Sequence, residues 1–328
     1  MTTPPSPVAG LRWRPITADD VPAWHGLVQA IEAADDPAER HTPEDLHEEL
    51  HDGSWKDPAR DSTLGIDDDG VPRAFGHVQV LPGDVRTVRA FCWGGVHPQW
   101  RGRGIGRELL AWQERMGRER IAATHADGPG RVLVHVDDGL TATERLLDRA
   151  GFRRLRVYLD LTRPLDEDLP AVALTEGLRL VPYEPSLSER VRLAHNEAFA
   201  DHWGSEPRDR ESWERQSVGG RYFRPAWSFV VLDGEEVAGY SLTSAYEQDW
   251  AAQGYSAGWT DLVGVRRPWR RAGVARALLA ATMAALRADG IDRADLGVDV
   301  ENPNRALDLY TGLGYRESRR TLAYGKDV

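Results

Sequence analysis

The chain has 328 residues, 41% of them hydrophobic, which is enough for about two ordinary domains. A formal net charge of −11 argues against a nucleic-acid binder that relies on bulk positive charge. With Cys92 as the one cysteine no internal disulfide forms, and no apolar run is long enough for a membrane span or a signal core, so a soluble cytoplasmic protein is expected.

Residues 1 to 10 read as a Pro-rich tail. A short strand follows at Leu11–Pro15, then a capping stretch at Thr17–Asp20 and helices over Val21–Ala33 and Pro43–His51. Strands are expected at Ser62–Ile66 and Arg73–Leu81 around the turn Asp67–Gly70, and another at Val85–Val96. A helix over Ile105–Thr124, a buried strand at Arg131–Val136, a helix at Thr141–Ala150 and a strand at Phe152–Leu161 complete the first half. Thr162–Gly177, with two prolines and an acidic cluster, reads as a linker.

The pattern then restarts. Leu178–Pro182 echoes Leu11–Pro15, and helices follow at Ser188–Ala200 and Asp209–Ser217 on either side of the loop Asp201–Pro207. Trp227–Leu232 and Glu236–Tyr246 form a hairpin across Asp233-Gly234. A strand at Gly258–Val265, a helix to about Asp289, a strand at Ala294–Val300, a helix at Asn304–Leu313 and a strand at Tyr315–Ala323 finish the copy. The chain is therefore read as an internal duplication of an α+β unit, with residues 1–161 and 178–328 as the two domains and 162–177 between them. Each domain is expected to be a mixed twisted sheet flanked by helices.

The clearest repeat is a turn that joins a strand to a helix. Arg101-Gly-Arg-Gly-Ile-Gly106 aligns without a gap on Arg270-Arg-Ala-Gly-Val-Ala275, and Trp100 aligns on Trp269. Glycine at 104 and 273 allows close approach of a ligand. The helix that opens there presents unpaired N–H groups and the positive end of its dipole, a ready site for a pyrophosphate. The arginines of both loops are local exceptions to the acidic background.

These turns resemble the Gln/Arg-x-x-Gly-x-Gly/Ala motif of the GCN5-related N-acetyltransferase (GNAT) superfamily. A second resemblance runs through Asp299-Val-Glu-Asn-Pro-Asn-Arg-Ala-Leu-Asp-Leu-Tyr-Thr-Gly-Leu-Gly-Tyr315, an Asn-rich turn followed by a helix that carries a Tyr shortly before Gly-Tyr. The resemblance to the superfamily as a whole covers nearly the whole chain, once per half, and is weaker in the first half after the loop.

The resemblance implies two tandem GNAT-like domains and an acetyltransferase that uses acetyl-CoA; with neither His-Glu-x-x-His nor paired cysteines in the sequence, no metal site is expected. Backbone amides of Arg270, Arg271, Ala272, Gly273, Val274 and Ala275 would hold the pyrophosphate. Val263 and Val265 would offer backbone groups to the pantetheine arm, at a strand that usually splays at a bulge. Asn304 would lie beside the arm and Asn302 at the strand end. Val96, Arg101, Gly102, Arg103, Gly104 and Gly106 are the corresponding set in the first half.

Tyr310 matches the family's general acid, and the alternative is a core Tyr packing under the last strand. Asp261 shares a strand face with Val263 and Val265 by period-two geometry. It is read as the base for the amine, or else as a strand-end Asp satisfied by its neighbours or binding a cationic substrate. Glu301 is a weaker candidate, expected at the surface. His202 and Trp203, in the loop that tends to wall the acceptor site in this family, and Tyr246, with Trp250, are read as substrate-lining.

Aligning Gly151-Phe152 on Gly314-Tyr315 puts Leu147 where Tyr310 stands, with Thr141 for Asn304 and Gly139 for Asn302. The first half is thus expected to keep a CoA loop and lack the acid. The expected substrate is a small-molecule primary amine, with no nucleic-acid or membrane partner. The expected assembly is a monomer with an internal pseudo-dimer, or a weak homodimer. The two-unit layout also resembles enzymes that acetylate the cysteinyl amine of a thiol precursor. A non-catalytic acyl-CoA sensor is a competing class, and an aminoacyl transferase using charged tRNA fits the acidic balance poorly.

Overall fold

The computed structural model describes residues 3–51, 55–84, 86–124, 128–302 and 306–328. Two compact units are present, Met1–Arg156 with Thr321–Val328, and Val157–Arg320.

The first unit runs β1 (Arg12–Arg14), α1 (Val21–Asp35), α2 (Pro43–His51), a single turn α3 (Pro58–Asp61), β2 (Ser62–Ile66), β3 (Pro72–Val80), β4 (Val88–Val96), α4 (Ile105–Ala123), β5 (Gly130–Asp137) and α5 (Thr141–Arg149). Local chemistry fixes its boundaries. Asp20 accepts from the Thr17 N–H and hydroxyl at 2.8 and 2.7 Å and opens the α1 region. Asp67 Oδ1 accepts from the N–H of Asp69 and Val71 and closes the β2–β3 turn, where Gly70 has φ 80°.

In the second unit β6 (Arg153–Pro164) contributes from Val157 onward. The chain continues through β7 (Leu178–Pro182), α6 (Ser188–Ala198), α7 (Arg210–Trp213), β8 (Phe229–Asp233), β9 (Glu236–Ser244), α8 (Glu247–Gln253), β10 (Ala257–Val265), α9 (Val274–Ala288), β11 (Arg293–Asp299) and α10 (Ala306–Thr311). The final strand, β12 (Arg316–Asp327), belongs to the first unit from Thr321. Each half of the sequence repeat therefore gives its last strand to the unit built mainly from the other.

Among the described residues the strand order is β1-β2-β3-β4-β5-β12 in the first unit and β7-β8-β9-β10-β11-β6 in the second. The pairing types match: among the described residues β4–β5 and β10–β11 are parallel, and the other strand pairings within each unit are antiparallel. This is the mixed sheet expected from the sequence. In the second unit one face carries α6, packed on Tyr240 and Leu242. The other carries α9, whose Val274 and Leu278 meet Val231 and Ala238.

Several segments differ from the sequence reading. β6 runs on to Pro164, into the stretch read as linker, because β11 offers it a continuous antiparallel ladder as far as Arg293↔Pro164. The helix expected over Asp209–Ser217 is α7 followed by a π turn at Glu214–Val218. Seven-residue α8 is too short to show a period and ends at Gly254, which has φ 80°. No helix among the described residues is long and apolar enough to cross a membrane.

Gly314 has φ 88°, and a Cβ there would collide with the Arg163 guanidinium. Gly314→Ala is therefore expected to destabilise the fold by at least about 1 kcal/mol, since an L side chain resists this conformation. Thermal unfolding should show the lowered midpoint.

Candidate active site

Three features of the second unit converge at the end of β10. The first is a split in the sheet. β10 and β11 pair only over Ala257–Thr260 with Arg293–Leu296, while β10 runs on to Val265 still bonded to β9. From Asp261 onward its β11-facing edge is unpaired by that strand, leaving backbone donors and acceptors that need partners. β4 and β5 do the same in the first unit, pairing only over Val88–Cys92 with Gly130–Val134.

The second feature is the loop. In both units the strand is followed by a short 3-10 turn, Pro98–Trp100 and Arg267–Trp269. Two left-handed residues come next, Gly102 (φ 77°) and Gly104 (φ 85°), or Arg271 (φ 67°) and Gly273 (φ 76°). Among the described residues Arg271 is one of three non-glycine residues in this region of the backbone, a strained conformation of the kind that accumulates at ligand sites. Gly104 and Gly273 are the N-caps of α4 and α9, and neither helix has a side-chain cap. Their first N–H groups are thus left for an anion.

The motif arginines do not direct their guanidinium groups at that anion site. Arg101 bonds the Val96 carbonyl at 3.1 Å and forks onto Asp35 at 2.6 and 2.7 Å. Arg270 bonds the Val265 carbonyl at 3.2 Å and the Ala198 carbonyl at 3.0 Å. Each staples the strand end to the last residue of the preceding helix, α1 or α6, so its guanidinium is already engaged within the protein. Arg103 lies against Trp100. Gly106 and Ala275 keep the first helical turn slim. Gly273→Val leaves ordinary space around its Cβ, 3.8 Å from the Ala173 carbonyl, and strains only the loop. It is expected to weaken CoA binding by at least about tenfold, read by calorimetry, and Gly104→Val makes the same test in the first unit.

The third feature is a bulge. The β9–β10 register slips between Thr260 and Leu262, so Asp261 is the extra residue. This corrects the expectation that Asp261 shares a face with Val263 and Val265. Asp261 accepts from Ser244 Oγ at 2.5 Å and Tyr246 Oη at 2.9 Å. Ser244 alternates in step with Tyr240 and Leu242 of the α6 face, and Leu262 packs there as well. Val263 and Val265 pack on the α9 side. The bulge resets the parity, which a period-two count cannot anticipate.

The Asp261 side chain is open to solvent yet ringed by protein. That surrounding raises its pKa to about 6, against the opposing pull of its Ser244 and Tyr246 bonds and the Arg208 charge. Behind it, buried His195 shares a 2.6 Å hydrogen bond with Tyr240. Burial lowers the His195 pKa to about 3, so its ring is neutral at physiological pH. Gly264 is required here, because a Cβ would meet the Tyr240 ring at 2.6 Å.

Tyr310 lies in the α9-side core with Met283, Leu286 and Tyr315, and Val263 packs on the same cluster. Val263 lies on the free stretch of β10, so that stretch and Tyr310 border one apolar cluster. Burial pushes its pKa up to about 12. Among the described residues its hydroxyl has no hydrogen-bond partner.

The remaining expected residues fall around this centre. Tyr246 touches Asp261 and pairs with the Tyr222 ring at 4.9 Å. His202 donates from Nδ1 to the Trp203 carbonyl at 3.0 Å, and the adjacent Asp201 is ion-paired with Arg267 at the start of the β10 loop. Trp250 bonds the Ala257 carbonyl at 3.1 Å and packs into the core. Asn302 closes a turn onto the Asp299 carbonyl at 3.0 Å, and Glu301 is exposed. Asn304 lies outside the described residues. Ser244, Arg208 and Tyr222 were not singled out from the sequence, and only the spacing of Ser244 two residues before Tyr246 could have drawn attention to one of them. In the first unit Leu147 is buried in α5 where the phenol would be.

A mixed sheet that splits beside a glycine-capped helix, built twice, defines a class. The sequence profile of the Acetyltransferase (GNAT) family matches residues 24–152 and again 189–315, and the chain belongs to that family. It is an N-acetyltransferase. Among its relatives is the mycothiol acetyltransferase of Thermobispora bispora, 36% identical over 226 residues, covering 67% of this chain and 70% of that one. The mycothiol acetyltransferase of Frankia alni is 29% identical over 331 residues, covering 96% and 94%. Of solved structures, a GCN5-related N-acetyltransferase from Sphaerobacter thermophilus superposes with a TM-score of 0.75 at 26% identity, over 97% of this chain and 96% of that one. A tandem GNAT protein from the clavulanic acid biosynthesis pathway shares the fold, with a TM-score of 0.69 at 19% identity over 97% and 98%.

Proposed function

We propose that the Val157–Arg320 unit transfers an acetyl group from acetyl-CoA to the primary amine of a small molecule. The observation that carries this reading is the bulge carboxylate. Asp261 projects from a strand whose unpaired edge leads directly into the uncapped N-terminus of α9. Amides of Arg270 to Ala275 would hold the diphosphate, and the open edge around Val263 and Val265 the pantetheine arm. Acetyl-CoA supplies the acyl group as a thioester.

Asp261, ionised above pH about 6, accepts the proton that the amine sheds as its new C–N bond forms. Tyr310, protonated at every physiological pH, gives its proton to the sulfur as the C–S bond breaks. The Arg101–Gly106 loop of the first unit has the same backbone form and would also take CoA, but Leu147 supplies no proton there. A second reading follows from the relatives named mycothiol acetyltransferase: the acceptor would be the cysteinyl amine of a mycothiol precursor. The test is a turnover assay with acetyl-CoA across an amine panel that includes that precursor, following N-acetyl product by mass spectrometry. Product with at least one amine supports the reading. CoA binding with no acetylation of any amine would favour an acyl-CoA sensor.

A further inference from the structure

The loop between α6 and α7 carries one arginine, Arg208, fastened to α6 on the face of the sheet where Asp261 lies, and its surroundings are unusual. The Arg208 backbone is clamped from both sides: its N–H donates to Asn196 Oδ1 at 2.9 Å, and its carbonyl accepts from Asn196 Nδ2 at 3.0 Å and Arg192 at 2.7 Å. The guanidinium, partly buried, makes one hydrogen bond, to Ser217 Oγ at 2.5 Å. Among the described residues no carboxylate lies within ion-pairing distance of it.

Its neighbours are all paired. Arg192 and Arg210 share Glu189 at 2.7 and 3.5 Å, Arg190 pairs with Glu235 at 2.9 Å, and Arg215 with Glu211 at 2.6 Å. In a chain of net charge −11, a half-buried guanidinium with no carboxylate in contact carries a desolvation cost that the more distant Asp261 only partly offsets. Burial accordingly lowers its pKa, and the groups that feel its charge are Tyr240, Asp261 and His195, gathered on the α6 face of the sheet. Most of its five N–H donors remain available for an anion.

We propose that Arg208 and Asp261 together select an acceptor that carries an anionic group beside its amine, a carboxylate as in a free amino acid or a phosphate as in an amino-sugar phosphate. This rests on the reading of Asp261 as the amine's site: the amine end approaches Asp261 and the anion takes the donors of Arg208. A cysteinyl amine has its carboxyl tied up in an acyl linkage and offers no such anion, so the proposal separates this chain from its named relatives in acceptor choice.

The test compares matched pairs, L-amino acids against their carboxamides and glucosamine 6-phosphate against glucosamine, in the full chain with acetyl-CoA. At least one anionic member should exceed its neutral partner in kcat/KM by about tenfold or more. Which pair shows the preference tells carboxylate from phosphate. Arg208→Gln should erase the preference by lowering kcat/KM for the anionic acceptor about 10- to 100-fold, with the KM for acetyl-CoA unchanged. Arg208→Lys should restore part of it. Neutral partners acetylated as well as anionic ones, a preference that survives Arg208→Gln, or an effect confined to acetyl-CoA would each overturn the proposal.

If no amine is acetylated, the enzymatic reading fails separately, and calorimetric titration of the same compounds into CoA-loaded protein decides about Arg208. Anionic members that bind wild type and not Arg208→Gln uphold the anion site, and their failure to bind wild type overturns it.

Discussion

Tyr310→Phe is expected to lower kcat by about 10²–10⁴-fold while leaving the affinity for acetyl-CoA unchanged. The phenol stands in an apolar cluster with Met283, Leu286 and Tyr315 and gives its hydroxyl to no other side chain among the described residues. Removing that oxygen strands no partner, so the variant should fold at least as stably as the wild type. A proton handed to a departing sulfur acts only in the transition state, so kcat and kcat/KM should fall together. Full activity in this variant would mean that the buried tyrosine is simply part of the core.

Asp261→Asn is the second large effect, with kcat/KM down about 10²–10⁴-fold at neutral pH. Wild-type kcat/KM should rise with pH up to about 6 and then level off, because only the ionised carboxylate accepts a proton. The variant should lack that ramp. Stability carries the opposite sign. The folded chain holds this proton more tightly than the unfolded chain, so between pH about 4 and 6 the carboxyl's contribution weakens the fold as pH rises. Asp261→Asn removes that loss and should be no less stable than wild type at pH 7. An activity loss accompanied by unfolding, or a ramp that persists in the variant, would take the base role away from Asp261.

The duplication, the mixed sheet and both loops were legible in the sequence because each rests on local pattern. A gapless match from Trp100 to Gly106 survives in three dimensions as two left-handed residues and a glycine N-cap at equivalent places. The turn at Asp67–Gly70 and the cap at Thr17–Asp20 were legible for the same reason. What was not legible depends on long-range pairing. The exchange of β6 and β12 between units has no local signature, since each strand looks the same whichever sheet receives it. The Asp261 bulge exists only in relation to β9, and it brings Ser244 and Tyr246 onto the carboxylate. Arg208 sits in a loop with no period, and its solitude shows only once every neighbouring carboxylate has found another partner.

Everything proposed for the second unit depends on the loop from Arg270 to Ala275 binding a diphosphate through main-chain amides at the start of α9 and so setting a thioester between Tyr310 and Asp261. A crystal structure of the full chain soaked with acetyl-CoA measures this directly. Diphosphate density is expected against those amides, with the pantetheine arm along the free edge of β10. A nucleotide bound elsewhere, with this loop empty, would contradict it.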